Sequence, residues 1–536
     1  MLEDAYASAL DVTTATDYDA LGRVSRQIDN YVDGVFTATE PITDRITLFQ
    51  YDTLSRVITT TATLDTSGPA SPATNRTTVQ AYDPSTGRLL GTRDALGSWD
   101  HVDYDALGQV TQTVQNCRTV AGVAVASGCA PFSASTPDRN LTAASYGYDV
   151  LGRLRTQTDA TGLVSESRYD GLGRSTAQVL NPQAGQPSTA LVNVVTQTRV
   201  NALGQATHIT DPLGNVAQRG YDGLGRTTVL TDALGHVTRM GYDPDGVLRW
   251  RQGPDGDLSL TVVDRAGNPV VVIAHEQDGV VSPNEASDSD LLSRFSYDRA
   301  GRVIKRVEPD GQLTSYGYDQ DNHLVRVTQY LGSTQVPCAS SCDVTTRYAY
   351  DRAGNQVAIT DGRGNVRRFT YNAADELVFT SGAADSGLIH QYDALGRLVG
   401  TTDPRGGAFD LSYTYDGLGR LTELRTFATL DLHWRYNARG QRIEMQDESG
   451  TTSYQYDTLG RLSQVEQPGG TVGYSYDARG LRTGVTYPSG SALSLSYTAN
   501  GALEQVQQGL AVLASYQYDA AGRPTQVTRA NGTSTG

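Results

Sequence analysis

The chain has 536 residues, of which 38% are hydrophobic and 19% charged, with a formal net charge of −16. It is too apolar for a disordered chain, and its 56 Gly are too many for a helical one. The acid excess argues against nucleic acid as a partner, because that needs a basic footprint.

Met1 to Tyr18 carries Glu3, Asp4 and Asp11 before Val12 and no basic residue, so it lacks the positive start of a signal peptide. Residues 1–15 read as an N-terminal segment without capping features. From residue 16 to about residue 530 one unit returns, close to Tyr-Asp-x-x-Gly-Arg. The first copy is Tyr18-Asp19-Ala20-Leu21-Gly22-Arg23 and the last is Tyr518-Asp519-Ala520-Ala521-Gly522-Arg523. There are 21 copies, and ten of the spacings between them are 21 residues. A fixed period of this length signals a repeat architecture, one structural device used over and over. Residues 531–536 form a tail.

Each copy reads as two strands and two turns. Tyr454 and Tyr456 are two apart and so share one face of a strand. Asp457 to Gly460 is a turn, since Asp bonds its own backbone and Gly accepts positive φ. Arg461 starts the return strand, and Pro468-Gly469-Gly470 makes the second turn. Elsewhere that second turn reads Asp-x-x-Gly, as in Asp211-Pro212-Leu213-Gly214. The abundance of Tyr (30, against 8 Phe) suits half-buried pleated strands. The expected fold is therefore all-β: a long ribbon of antiparallel hairpins. The residues defining the unit are Tyr18, Asp19, Gly22 and Arg23, then Tyr148, Asp149, Gly152 and Arg153. They return as Tyr221, Asp222, Gly225 and Arg226, as Tyr392, Asp393, Gly396 and Arg397, and as Tyr456, Asp457, Gly460 and Arg461. Stacking sets each beside its copies, and Asp and Arg of one turn are placed to pair. Val200 and Val263 replace the Tyr, Ser55 the Gly, and Gln109 and Gln205 the Arg. Stability spread over neighbour contacts tolerates such drift.

Six longer spacings carry loop composition, near 32–47, 62–78, 115–143, 182–196, 275–293 and 331–345. All six enlarge the second turn, which puts the long loops on one edge of the ribbon. The four cysteines fall in them as local pairs, Cys117/Cys129 and Cys338/Cys342. Two disulfides in an oxidising compartment is the sharper reading, and free thiols the blander one. Zinc is the weakest, since no His lies near to complete a site.

Strands of 7 to 9 residues would be roughly 25 Å long, and about 42 of them would make a ribbon on the order of 200 Å. Such a ribbon twists and curls. Closed in a single turn it would be roughly 60 Å across at that strand spacing; wound as a spiral it is a hollow wall.

Units of this sequence and period resemble the YD repeats of the Rhs family, which also occur in toxin-complex shells and teneurins. Seven copies, including those at Tyr18, Tyr169 and Tyr415, read Tyr-Asp-x-Leu-Gly-Arg without a mismatch. The resemblance covers nearly the whole chain and implies a spiral β-shell, part of a hollow cocoon. In bacterial members that shell holds a C-terminal toxin inactive until delivery. It also implies a closing segment rich in Asn-Pro and Asp-Pro-x-Gly motifs, which cuts off the toxin. Pro524 to Gly536 has neither that segment nor a toxin-like domain, so the sequence reads as a partial shell. Its expected partners are remaining shell segments or a toxin domain. Its expected location is secreted or at a bacterial cell surface.

The alternative function is a carbohydrate-binding adhesion module, with tyrosines stacked on sugar rings. Enzymatic readings are weak. Gly532-Thr-Ser534-Thr-Gly536 matches a nucleophile elbow without the following helix, acid or His. The histidines are scattered, and no P-loop or zinc-protease motif occurs. Asp243-Pro-Asp245-Gly246 and Asp319-Gln-Asp321-Asn322 lack full calcium-loop spacing and read as turns. No catalytic residue, cofactor or metal site is expected.

Overall fold

The computed structural model describes residues 14–29, 45–63, 75–119, 122–130, 138–276, 291–330, 343–351, 353–372, 374–381, 387–403, 407, 410–426, 431–519 and 522–535. Those residues form 43 strands, from β1 (Ala15–Tyr18) and β2 (Val24–Asp29) to β43 (Ser534–Thr535). No α-helix occurs among them. Each strand pairs antiparallel with the strands before and after it in sequence, so one meander runs the length of the chain.

Most strands have five to seven residues, shorter than the 7 to 9 expected. The turns explain this. In the unit starting at Val216, strands Val216–Tyr221 and Thr227–Thr231 are separated and followed by turns of five residues each, Asp222–Arg226 and Asp232–His236. Strand ends also run into segments expected as loops: strands begin at Arg45, Asn75 and Asp343 and end at Thr63 and Glu276.

Every Tyr hairpin has the same irregularity. Tyr18 pairs with Val24 but Asp17 pairs with Arg26, leaving Ser25 as an extra residue on the return strand. The slip recurs at Tyr148, Tyr221, Tyr392 and Tyr456. A bulge bends its strand and increases the local twist. Repeated at the same place in each unit, it bends the ribbon in one sense.

The ribbon therefore winds on itself. Residues 266 to 317 apart in sequence touch, from Arg523–Asp257 to Arg76–Asp393. Between Asp232, after β16 (Thr227–Thr231), and Asn500, before β40 (Leu503–Gln508), lie 23 strands. At ~4.8 Å per strand, that revolution has a circumference of roughly 110 Å and a diameter of roughly 35 Å. The described chain makes just under two revolutions. The 60 Å single ring is thus replaced by a narrower spiral.

The wall is one sheet thick. β39 (Ala492–Tyr497) alternates exposed and half-buried residues along its length. Among the described residues, buried apolar side chains cluster at Val271, Ile273 and Leu292, with Leu260, Val262 and Val270 against them. This is a patch on the wall and does not fill the interior. The all-β spiral shell expected from the sequence is the fold observed.

Candidate functional site

Two features carry the architecture: the ladder of Tyr turns and the seam between revolutions. In the first turn, the Asp19 N–H donates to the Arg23 carbonyl at 2.8 Å, and the Gly22 N–H to the Asp19 carbonyl at 2.9 Å. Gly22 has φ 76°, the left-handed residue that a type I turn with a glycine bulge requires. Asp19 Oδ1 accepts from the backbone of Leu21 and Arg23 at 2.9 and 3.0 Å. Asp19 Oδ2 takes Arg23 Nε at 2.7 Å and Nη2 at 2.6 Å. The same Nε–Oδ2 bond is 2.6–2.7 Å at Arg153–Asp149, Arg226–Asp222, Arg397–Asp393 and Arg461–Asp457. The Arg23 guanidinium, then its backbone N–H, holds the Asp19 carboxyl below the usual range. At Asp149 and Asp222 the Arg backbone N–H leads, and the guanidinium adds to it.

The ladder then links each unit to the next. The Arg23 guanidinium lies 4.5 Å over the Tyr51 ring. The Tyr51 hydroxyl donates back to the Val24 carbonyl at 2.7 Å. Arg153, Arg226, Arg397 and Arg461 cover Tyr169, Tyr242, Tyr415 and Tyr476 in the same way, at 4.6–4.9 Å. The hydroxyls of Tyr148, Tyr221, Tyr392 and Tyr456 reach the carbonyls of Val110, Ala206, Leu377 and Arg442 at 2.7–2.9 Å. Tyr18, at the start of the described ladder, is 63% exposed. At Tyr51, Tyr169, Tyr242, Tyr415 and Tyr476 an Arg takes one ring face and a carbonyl takes the hydroxyl, so these tyrosines are poor platforms for a sugar.

The departures keep a link to the next unit. Gln109 and Gln205 donate to the next turn's Gly152 and Gly225 carbonyls at 2.9 and 3.0 Å. His323 bonds Asp319 Oδ2 at 3.0 Å and stacks 4.7 Å from Tyr350, replacing the Arg in both roles. Ser55 takes φ 63°, a conformation that costs a residue with a Cβ. Asp319, Asp321 and His323 bring potential ligand atoms within 4.8 Å of one another, as do Glu423, Asp431 and His433. Asp319 is occupied by the turn: its Oδ1 accepts from the N–H of Asp321 at 3.0 Å and of His323 at 2.8 Å. Ser534 of the elbow-like motif lies exposed in β43.

Cys117 and Cys129 are joined by a disulfide, and Cys117 is fully buried. Cys338 and Cys342 lie outside the described residues. The bridge pins a loop beneath the second revolution. Asn116, 1% exposed, donates to the Asp138 carbonyl at 2.6 Å. Gly417, in a Tyr turn one revolution later, sits directly over both: a Cβ there would overlap Asn116 Nδ2 and lie 3.2 Å from the Asp138 carbonyl oxygen.

The rest of the seam is polar. Arg76 meets Glu376 at 2.7 Å, Arg439 meets Asp159 at 2.8 Å, and Asn500 meets Asp232 at 2.6 Å. Arg461 reaches the Ala190 carbonyl at 3.2 Å, and Arg523 pairs with Asp255 and Asp257. In each case the Tyr-turn rim of the later revolution meets the second-turn rim of the earlier one. These contacts escape a reading of the repeat alone. Part of their signal is at the fourth motif position, Leu in most early copies but Arg439 and Asn500 in late ones.

A meander of Tyr-Asp hairpins wound as a spiral defines the class: a YD-repeat β-shell. The family model for the teneurin YD-shell matches residues 289–453 and 409–509, and that for the RHS repeat matches 148–185, 200–237 and 497–534. The chain belongs to the Rhs/YD-repeat family. Double-stranded DNA deaminase toxin A of Burkholderia cenocepacia is 30% identical over 28% of this chain and 11% of its own length. Toxin protein Tse5 of Pseudomonas aeruginosa is 28% identical over 33% of this chain and 11% of its own length. The chain thus spans about a tenth of the curated relatives it matches. Among solved structures, the TcdB2-TccC3 crystal structure aligns at TM-score 0.59 and 15% identity, covering 97% of this chain and 35% of that one. The Photorhabdus luminescens Tc holotoxin pore aligns at TM-score 0.59 and 14% identity, covering 96% of this chain and 28% of that one. At these identities the likeness shows the fold. No helix among the described residues is long and apolar enough to cross a membrane.

Proposed function

We propose that this chain is the wall of a secreted bacterial toxin's shell, enclosing an effector polypeptide encoded C-terminal to it. The observation that carries the reading is the spiral: a wall one sheet thick, roughly 35 Å across at ~4.8 Å per strand, whose interior no described side chains fill as a core. The toxins among its relatives supply the class of cargo. The Cys117–Cys129 bridge suits an oxidising destination. The polar groups of the Tyr turns are spent on the ladder, so the repeat residues serve as scaffold. The carbohydrate-binding alternative gains no support from tyrosines such as Tyr51 and Tyr169, which are engaged on a ring face and at the hydroxyl.

Limited proteolysis of the natural full-length protein tests this. The effector should survive protease while the wall is folded and be digested once the wall is unfolded by denaturant. An effector cut as fast inside the intact protein as when expressed alone would sink the reading.

A further inference from the structure

Two of the long second-turn loops are closed at the base by the same device. Asn116 and Asn140 flank one, Asn181 and Asn193 the other, and all four take left-handed backbone, at φ 47–52°. Asparagine is among the few residues with a side chain that adopt this conformation readily. In each pair the N–H of the second Asn donates to the carbonyl of the first, at 3.1 and 3.0 Å. The first Asn donates from Nδ2 to the carbonyl two residues before the second: Asp138 at 2.6 Å and Leu191 at 2.6 Å. The second accepts at Oδ1 from the N–H two residues after the first: Arg118 at 2.6 Å and Gln183 at 2.7 Å. The bonds recur at the same offsets although the loops differ in sequence and length. Immediately outside each pair the wall resumes, with Gln115 against Leu141 and Leu180 against Val194.

The clasp is also where the next revolution lands. Gly417 sits over Asn116 and Asp138, and Arg461 donates to the carbonyl of Ala190, beside the clasp acceptor Leu191. Ordinary second turns show how far along the ribbon such a contact falls. The turn at Asp159 and the turn of Arg439 are separated by 23 strands, and so are the turn at Asp232 and the turn of Asn500. From the Asn116–Asn140 pair to the turn of Gly417 the count is again 23, and from the Asn181–Asn193 pair to the turn of Arg461 it is 23 once more. An inserted loop thus changes the residue number of the partner and leaves the register of the seam as it was.

We propose that the asparagine pair is a seat for the seam. It closes an insert at its base and presents to the next revolution what an ordinary turn presents elsewhere. The exposed tip between the clasp bonds, around Pro187 and Ser188, then has no part in the seam. Its length and sequence can change without moving the revolution stacked on it. The inference depends on the spiral and its seam, whatever the wall encloses, so it stands or falls apart from the proteolysis experiment.

Hydrogen exchange of the purified chain tests it. Asn181→Gly together with Asn193→Gly keeps the left-handed backbone accessible and removes the side-chain bonds. Exchange at 457–461, above this clasp, should quicken about tenfold. Exchange at 437–441, which faces the ordinary turn at Asp159, should not change. A Gly-Ser segment of about eight residues inserted between Pro187 and Ser188 leaves both asparagines in place. That longer chain should exchange at 457–461 as the wild type does. If the double glycine variant unfolds, as judged by circular dichroism, Asn181→Asp carries the same comparison, because it removes only the Nδ2 donor. Unchanged exchange at 457–461 in the clasp variant overturns the proposal. So does an equal rise in the lengthened chain, or a rise at 437–441 as large as that at 457–461.

Discussion

Three copies of the repeat have the identical sequence Tyr-Asp-Gly-Leu-Gly-Arg: Tyr169–Arg174 and Tyr221–Arg226 in the first revolution, Tyr415–Arg420 in the second. Within each turn they are indistinguishable. The Arg Nε–Asp Oδ2 bond is 2.7 Å in all three. Each Arg reaches the next unit's turn carbonyl, at 2.6–2.8 Å. Outside the turn they differ. Leu172 and Leu224 are 78% and 74% exposed, and Leu418 is half-buried. A Cβ on Gly171 or Gly223 meets nothing within 4 Å, whereas on Gly417 it collides with the loop held by the disulfide. The hexapeptide encodes the turn and its link to the next unit. The position of the copy along the spiral decides what that turn is for.

The strongest way to break this difference is to remove the platform beneath Gly417. Replacing Cys117 and Cys129 by Ser frees a loop of separation 12 and should cost about 3 kcal/mol of unfolding free energy. Urea denaturation in oxidising and reducing buffer measures it. The wild type should fall when reduced, and the double variant should respond less to reductant.

Next comes the glycine itself. Gly417→Ala forces a methyl against Asn116, whose burial leaves it nowhere to move. Overpacking of this kind should cost about 2 kcal/mol. Gly171→Ala and Gly223→Ala should instead change stability by less than about 0.5 kcal/mol, toward stabilisation, through the unfolded chain. If all three substitutions cost the same, the seam is not where Gly417 sits. Placed in the disulfide-free background, Gly417→Ala should lose much of its effect, because the two changes act on one contact.

These comparisons show what the sequence makes legible. The period, the Asp turn with its glycine and the Asp–Arg pair are local, and each is written in a few adjacent residues. The hollow wall follows from the number of units alone. The diameter does not, because it depends on the bend at residues such as Ser25, where nothing in side-chain chemistry marks an unpaired position. The guanidinium over the next tyrosine was equally hidden, since Arg23 and Tyr51 meet only once register is known. The seam joins residues nearly 300 apart. Its traces in the sequence are single changes within late motifs, Leu to Arg439 or Asn500 at the fourth position and Arg to Glu376 at the sixth.

A smaller effect is expected from the seam's charges. Arg439 and Asp159 are 19% and 31% exposed, so their pair lies between a surface and a buried bridge. Arg439→Met should cost about 1 kcal/mol. The wild type should lose about the same at high salt, and the variant should respond less. Hydrogen exchange locates the loss: protection should fall at turns 437–441 and 159–163 together and stay unchanged at 222–226, which has no seam partner among the described residues. Equal loss in all three would mean that the pair does not act through the seam.

Acid should erase the contrast between revolutions gradually. Arg23 and Arg174 hold the carboxyls of Asp19 and Asp170 below the ordinary 3.8. The Ser85 hydroxyl, with the N–H groups of Thr86 and Ser85, lowers Asp83 to about 2. At the seam, burial alone would raise Asp159 and Asp232. Hydrogen bonds outweigh it, chiefly from Thr161 to the first and from His236 and Asn500 to the second. A carboxyl lowered by folding contributes stability that is complete above its unfolded value. That stability is lost as pH falls through the folded value. Stability should therefore be level above about pH 5 and decline from pH 4 toward pH 2. Seam and turn carboxyls protonate in the same window. Exchange protection at 437–441 should thus converge on that at 222–226 as the pH falls, before the whole wall unfolds. A stability profile flat from pH 5 to about pH 2.5 would show that the Asp–Arg turns are not what holds the units together.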